Sequence, residues 1–194
     1  IGIGYSCSVW DLTSAKEIIS LNPPMIKVPS ACNISEKILS CLCDHFPGEI
    51  HISLGMTSRQ EEKAIVDTVK KKQRNQDTVL YACTSGYPVP PEDVCLLEIT
   101  RLKNAYENDV KAIGFSGHHL GIAIDIAATV LGVEWIERHY TLDRSWKGTD
   151  HAASLEPDHL RRITRDTKVV QRALTFKNQE ILEIEKVQRK KLKE

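Results

Sequence analysis

The 194-residue sequence predicts a parallel α/β sheet, and three observations predict it. Six short apolar runs with strand character recur along the chain, each followed by turn residues and then an amphipathic stretch. That alternation implies parallel strands, because each must return to the starting edge through a helical crossover. The runs also end in serines, a lysine and two histidines, residue types suited to the rim where the carboxyl ends of parallel strands meet.

The first run is Ile1–Ser6 and the second Met25–Pro29. The third is Glu49–Leu54, and Ser58-Arg-Gln-Glu61 behind it reads as a capping box opening a helix. Thr78–Cys83 is the fourth. Pro90-Pro91-Glu92-Asp93 is expected to open the next helix, with proline preset for the first turn and acids favourable at its positive end. Lys111–Ser116 and Glu134–His139 complete the series, separated by a small-residue helical stretch from Gly121 to Gly132. Ser154 precedes a long final helix with Leu160, Ile163, Thr167, Val170 and Leu174 on one stripe. No internal boundary is marked, so residues 1–175 read as one domain and 176–194 as a polar tail that packs as an arm or frays. Lys70-Lys71-Lys72 and Arg189–Lys193 read as solvated helix ends.

Lys plus Arg totals 26 and Asp plus Glu 26, a balance that argues against nucleic acid as the main partner. No apolar run approaches the length of a membrane span. No signal peptide is visible, and the chain starts at Ile1 rather than Met, as though trimmed. Cys7, Cys32, Cys41, Cys43, Cys83 and Cys95 lack zinc-knuckle or disulfide-scaffold spacing and read as reduced thiols of a cytoplasmic protein.

The strand ends carry, in order, Ser8, then Lys27 and Ser30, Ser53, Thr84 and Ser85, Ser116 and His118, and finally His139. Hydroxyls beside a lysine suit a phosphate, since the hydroxyls donate hydrogen bonds and the ammonium supplies counter-charge. Two imidazoles on the same rim suit a divalent metal with positions left open for substrate. No glycine-rich loop of the ATP or dinucleotide type is present. Each residue alone has a plainer reading: a serine caps a helix, a buried histidine bonds to backbone, and Lys27 snorkels outward. Their convergence on one rim carries the functional reading.

Longer strings make a family recognisable. Gly114-Phe-Ser-Gly-His118, Glu137-Arg-His139 and Lys147-Gly-Thr-Asp-His151-Ala-Ala-Ser-Leu-Glu-Pro157 resemble the N-acetylneuraminate (sialic acid) synthase family. So do Lys27-Val-Pro-Ser30, Ser53-Leu-Gly-Met56 and Cys83-Thr-Ser-Gly-Tyr-Pro88, and the likeness runs from about Tyr5 to Leu174. It implies a (β/α)8 TIM barrel, of which about six βα units are present and the first strands lie upstream. It also implies condensation of phosphoenolpyruvate with an N-acylated hexosamine aldehyde such as N-acetylmannosamine, releasing phosphate, in a protein that is a homodimer when complete.

By the same resemblance, His118 and His139 hold the metal, manganese first with magnesium or cobalt tolerated, and act with Lys27 as the catalytic set. Ser8, Lys27, Ser30, Ser53 and Ser116 bind phosphoenolpyruvate, while Ser85, Tyr87 and Asp150 face the sugar. Strand alternation turns Glu137 toward the metal site as an orienting group and His119 away from it. Asp150 and His151, on a loop after the last strand, are both expected to serve function.

The chain departs from the family in three places. The family's catalytic glutamate and a second phosphate-binding lysine fall upstream. A basic tail, Val187–Glu194, stands where long members carry an antifreeze-like domain. Cys32, with Asn33 beside it, replaces a sugar-contacting acid, which leaves sialic, legionaminic and pseudaminic acid precursors all open as acceptors. Two other readings remain: a barrel lyase using Lys27 as a Schiff-base former, and a catalytically silent barrel acting in assembly.

Overall fold

The computed structural model describes residues 2–193. Strands β1 (Ser6–Ser8), β2 (Met25–Val28), β3 (Glu49–Ser53), β4 (Thr78–Cys83), β5 (Ala112–Gly117) and β6 (Trp135–Arg138) form one parallel sheet in sequence order. Helices α1 (Leu12–Ser20), α2 (Glu36–His45), α3 (Arg59–Lys71), α4 (Glu98–Tyr106) and α5 (Ala123–Val130) make the crossovers, followed by α6 (Pro157–Ala173) and α7 (Glu183–Leu192).

Alternation along the strands sorts two faces. Ile26, Val28, Ile50, Ile52, Leu80, Ala82, Ile113 and Phe115 are buried in one apolar cluster with Leu42, Ile65, Val69, Ile99 and Leu102 of the helices. The intervening residues carry the polar groups on the opposite, concave face. Lys27 on β2 and Glu137 on β6 meet there, Nζ to Oε2 at 2.8 Å. Neighbouring strands lie about 4.8 Å apart, so a flat sheet would hold β2 and β6 about 19 Å from each other. The contact therefore requires the sheet to curl, which it does as an open half-barrel of the (β/α)8 type.

The concave floor is a connected polar layer. A carboxylate only accepts, so His51 Nε2–H donates to Glu49 (3.2 Å) and Nδ1 accepts from the Tyr81 hydroxyl (2.7 Å). The Tyr81 ring lies over Gly114, where a Cβ would come within 2.7 Å of it. Glycine at that position makes room for the ring.

Three expectations need correction. The first strand spans Ser6–Ser8 rather than Ile1–Ser6: its ladder starts opposite Met25, and Pro23 and Pro24 before that point have no N–H to extend it. Residues 2–5 are exposed, and Ile1 lies outside the described residues. Pro90 opens only a 3-10 turn, Pro91–Asp93; Cys95 then takes a left-handed φ of 50°, and α4 starts at Glu98. Ser154 precedes α6 as expected; its hydroxyl donates back to the Asp150 carbonyl at 2.9 Å, and the helix opens on Pro157. Of the α6 stripe, Ile163 is buried while Leu160 and Leu174 are exposed. The polar tail contains α7, held by Glu185 accepting from Leu182 N and pairing with Lys177; Glu194 lies outside the described residues.

The Ser58–Glu61 capping box is present in both directions, and Gly121 and Gly132, both with positive φ, bracket α5. All six cysteines are free. No helix among the described residues is long and apolar enough to cross a membrane.

Candidate active site

Because every strand runs the same way, the carboxyl ends share one rim. At the end of β3, the Gly55 N–H donates to Ser30 Oγ at 3.0 Å, and Ser30 reaches Cys83 Sγ at 3.7 Å. A Cβ on Gly55 would lie 2.3 Å from Ser85 Oγ and 2.6 Å from Ser30 Oγ, so this small space exists only because residue 55 has no side chain. The hydroxyls of Ser53 and Ser85 are buried without a partner. A buried hydroxyl left unpaired costs about 1–3 kcal/mol, so two on one rim suit a ligand that accepts hydrogen bonds.

Asn33 holds this loop in shape. Its Nδ2 donates to the Ser53 carbonyl (2.8 Å) and to Thr57 Oγ1 (2.6 Å), and the residue is buried. It braces the loop from beneath, whereas its neighbour Cys32 turns its thiol to the Trp10 carbonyl at 3.2 Å.

Lys27 lies over the Tyr81 ring, its Nζ 5.1 Å from the centroid, with Glu137 as its ion-pair partner. Burial pushes the Glu137 carboxyl up, but the Lys27 ammonium and hydrogen bonds from Lys27 and Ser116 outweigh it and hold the group below its ordinary value. Glu137 thus spends its carboxylate on Lys27 and Ser116 instead of orienting an imidazole, as strand alternation alone suggested. Ser8 lies opposite Lys27 in the β1–β2 register, exposed at the edge of the sheet.

His118 and His139 follow β5 and β6 directly, with ring centroids 5.2 Å apart. His118 Nδ1 sits 3.0 Å from the Thr84 carbonyl; a carbonyl only accepts, so Nδ1 carries the proton and Nε2 keeps a lone pair. Burial lowers the pKa of both rings, and for His139 the neighbouring His118 adds to it. Both are therefore neutral donors at ordinary pH, the form that binds metals. Tyr87 packs 4.4 Å from His118 and 5.9 Å from His139, and Asp150 Oδ2 lies 3.7 Å from His139 Nδ1. No cluster of three or more His, Cys, Asp or Glu is placed to hold a metal among the described residues. The donor set is a pair of neutral imidazoles, which fits a divalent cation whose other positions go to water or substrate oxygens.

His119 is buried on the reverse face against Asp125 and Arg138. His151 turns toward Trp146 and packs on Gly148. Gly55 and the Lys27–Glu137 pair are the functional elements that sequence reasoning missed. A glycine two residues past a strand-end serine was the available signal for the first.

The family model described as "NeuB family" matches residues 1–179. The chain is 37% identical over 192 residues to the N-acetylneuraminate-9-phosphate synthase of Homo sapiens, covering 99% of the chain and 52% of that protein. It is 34% identical over 173 residues to the N,N'-diacetyllegionaminic acid synthase of Campylobacter jejuni, covering 89% and 51%. The chain thus spans about half the length of the curated relatives it matches. Among solved structures, a sialic acid synthetase from Leptospira borgpetersenii in complex with citrate superposes with a TM-score of 0.82 at 29% identity, covering 95% of this chain and 64% of that one.

Proposed function

The chain belongs to the NeuB family, and from that premise we propose that the protein carrying it condenses phosphoenolpyruvate with the open-chain aldehyde of an N-acylated hexosamine. The products are a nine-carbon 2-keto acid and inorganic phosphate. The observation that carries this reading is the hydroxyl set on the rim: Ser53, buried without a partner at the end of β3, and Ser30, beside the space that Gly55 leaves open with Ser85 across it. Ser30 and Ser53 suit an anion better than a neutral ligand, because hydrogen bonds to charged acceptors are the stronger kind.

Phosphoenolpyruvate is held by Lys27, which exchanges Glu137 for the incoming anion, and by the hydroxyls of Ser8, Ser30, Ser53 and Ser116. Ser85, Tyr87 and Asp150 face the acceptor sugar. His118 and His139 would hold the divalent cation, manganese before magnesium or cobalt, which when bound polarises the aldehyde oxygen as a Lewis acid. Carbon C3 of phosphoenolpyruvate then attacks the aldehyde carbon, forming the new C–C bond while that oxygen takes up a proton. Water adds at C2, and phosphate leaves by C–O cleavage to give the keto acid. Holding both reactants on one rim removes much of the orientational cost of a bimolecular step. The ion pair with Glu137 supports Lys27 as a charge donor over a Schiff-base former, since a paired ammonium offers no lone pair.

The test is phosphate release from phosphoenolpyruvate with manganese and N-acetylmannosamine, by this chain beside the longest reading of its gene. His118→Ala and His139→Ala should each abolish manganese-dependent release without unfolding the protein. Undiminished turnover in either variant would remove the proposal, and turnover with a related 2,4-diacetamido sugar alone would redirect the acceptor.

A further inference from the structure

The two imidazoles each have a neighbour that meets the other on the reverse face of the sheet. His119 follows His118, Arg138 precedes His139, and Arg138 Nη1 donates to His119 Nε2 at 2.9 Å. The same guanidinium donates to the Asp125 carboxylate, to the Gly121 carbonyl (2.9 Å), and through Nη2 to the carbonyls of His119 (2.6 Å) and Ala153 (3.3 Å). One side chain thus ties β6 to the β5 strand end, to α5, and to the turn that follows Asp150. The His119, Asp125 and Arg138 side chains are 1%, 0% and 4% exposed.

Stability alone does not account for this cluster. Desolvating buried charges offsets much of their mutual attraction, and well-packed apolar residues often serve a fold as well. The cluster also leaves His119 Nδ1, Asp125 Oδ1 and Arg138 Nε without partners, a cost an apolar core would not carry. What it does supply is rigidity at two backbone positions, each one residue from an imidazole. Arg138 as a planar fork fixes angles that a single contact would leave free.

We propose that Arg138, with Asp125 and His119, is a positioning cluster that sets the separation and ring directions of His118 and His139, and thereby their affinity for a divalent cation. This rests on the reading that the imidazole pair binds that cation. Groups that orient metal ligands typically change metal affinity by about 10- to 100-fold when altered.

The test is manganese affinity, read from the free-ion electron paramagnetic resonance signal, with thermal melts alongside. It compares the parent chain with Arg138→Lys, Asp125→Asn and His119→Phe. Arg138→Lys keeps the charge and loses the fork, and Asp125→Asn keeps the volume; each should weaken manganese binding about tenfold or more. His119→Phe keeps the aromatic contact with Phe115 and removes only the acceptor, so a folded His119→Phe with weaker binding supports the clamp even where Arg138→Lys fails to fold. Glu62→Gln, which alters a buried ion pair between α3 and α4, should lower the melting temperature and leave manganese affinity unchanged. Folded cluster variants that bind manganese as the parent does would overturn this inference alone. A parent chain that binds no manganese, or binds it equally after His118→Ala, would overturn the cation reading and this inference with it.

Discussion

Gly55→Ala is the sharpest perturbation of the rim. Gly55 has no left-handed φ, so alanine brings only its Cβ. That atom would lie 2.3 Å from Ser85 Oγ, 2.6 Å from Ser30 Oγ and 3.1 Å from Cys83 Sγ. Both hydroxyls can escape by rotating, so the fold survives. Ser30 then gives up the bond it accepts from Gly55 N–H, and overpacking of this kind costs about 1–3 kcal/mol. For a chain of this size each kcal/mol lowers Tm by about 2–4 °C. The binding loss is of similar size. Ser30 withdrawn from a charged ligand forfeits about 1.5–3 kcal/mol, a weakening of about 10- to 100-fold at about 1.4 kcal/mol per decade. Isothermal titration with phosphoenolpyruvate, run well below the variant's Tm, measures it. A Gly55→Ala protein that binds within threefold of the parent would refute the assignment of this space to the anion.

Other expectations follow from the same geometry. Gly114→Ala places a Cβ 2.7 Å from the Tyr81 ring and 3.1 Å from the Trp135 carbonyl, neither of which yields easily, so urea midpoints should fall by about 1–3 kcal/mol equivalent; an unchanged midpoint would show that the floor is loosely packed. Burial holds the His51 imidazole below its ordinary 6.5, although Glu49 opposes the shift. The unfolded chain therefore takes up the proton first as pH falls through 6.5, and stability declines below that point by up to about 1.4 kcal/mol per pH unit for this group. His51→Asn should flatten its share of that slope in denaturation series from neutral to mildly acid pH, and an identical slope would contradict it. Removing residues 176–194 takes away a helix whose Ile184 and Leu192 are 81% and 77% exposed, so Tm should shift by no more than about 2 °C, equivalent to about 0.5–1 kcal/mol. A larger fall would mean that α7 packs on the body in solution.

The strands were legible because apolar runs bounded by turn residues mark buried strands wherever a helix follows, and five of the six fall within two residues of expectation. β1 was misplaced because apolar character alone does not show where a ladder partner begins. Site residues at strand ends were legible by position, since the parallel order fixes which end of each strand meets the rim. The charges inside strands were not. Glu137 and Arg138 sit side by side in β6; alternation turns Glu137 toward the rim without naming its partner and leaves Arg138 unassigned, and the structure pairs one across the half-barrel with Lys27 and the other behind it with Asp125. Nor does spacing reveal an ion pair between residues 110 positions apart. The start of α4 was hidden by Cys95, whose left-handed φ no composition rule assigns to cysteine.

The ladder order also bears on how the chain acquires its rim. Each strand pairs with its predecessor in sequence, so sheet contacts are short-range and can form one crossover at a time. Lys27 and Glu137 instead close a span of 110 residues. Closure entropy grows only as the logarithm of length, adding about 1 kcal/mol over a single crossover. Order of events matters more than that penalty: until β6 docks, Lys27 lacks its Glu137 partner and the imidazole pair has only one member. In stopped-flow refolding, the far-ultraviolet dichroism of the helices should accordingly return ahead of anion binding, with docking of the last strand as the step between them.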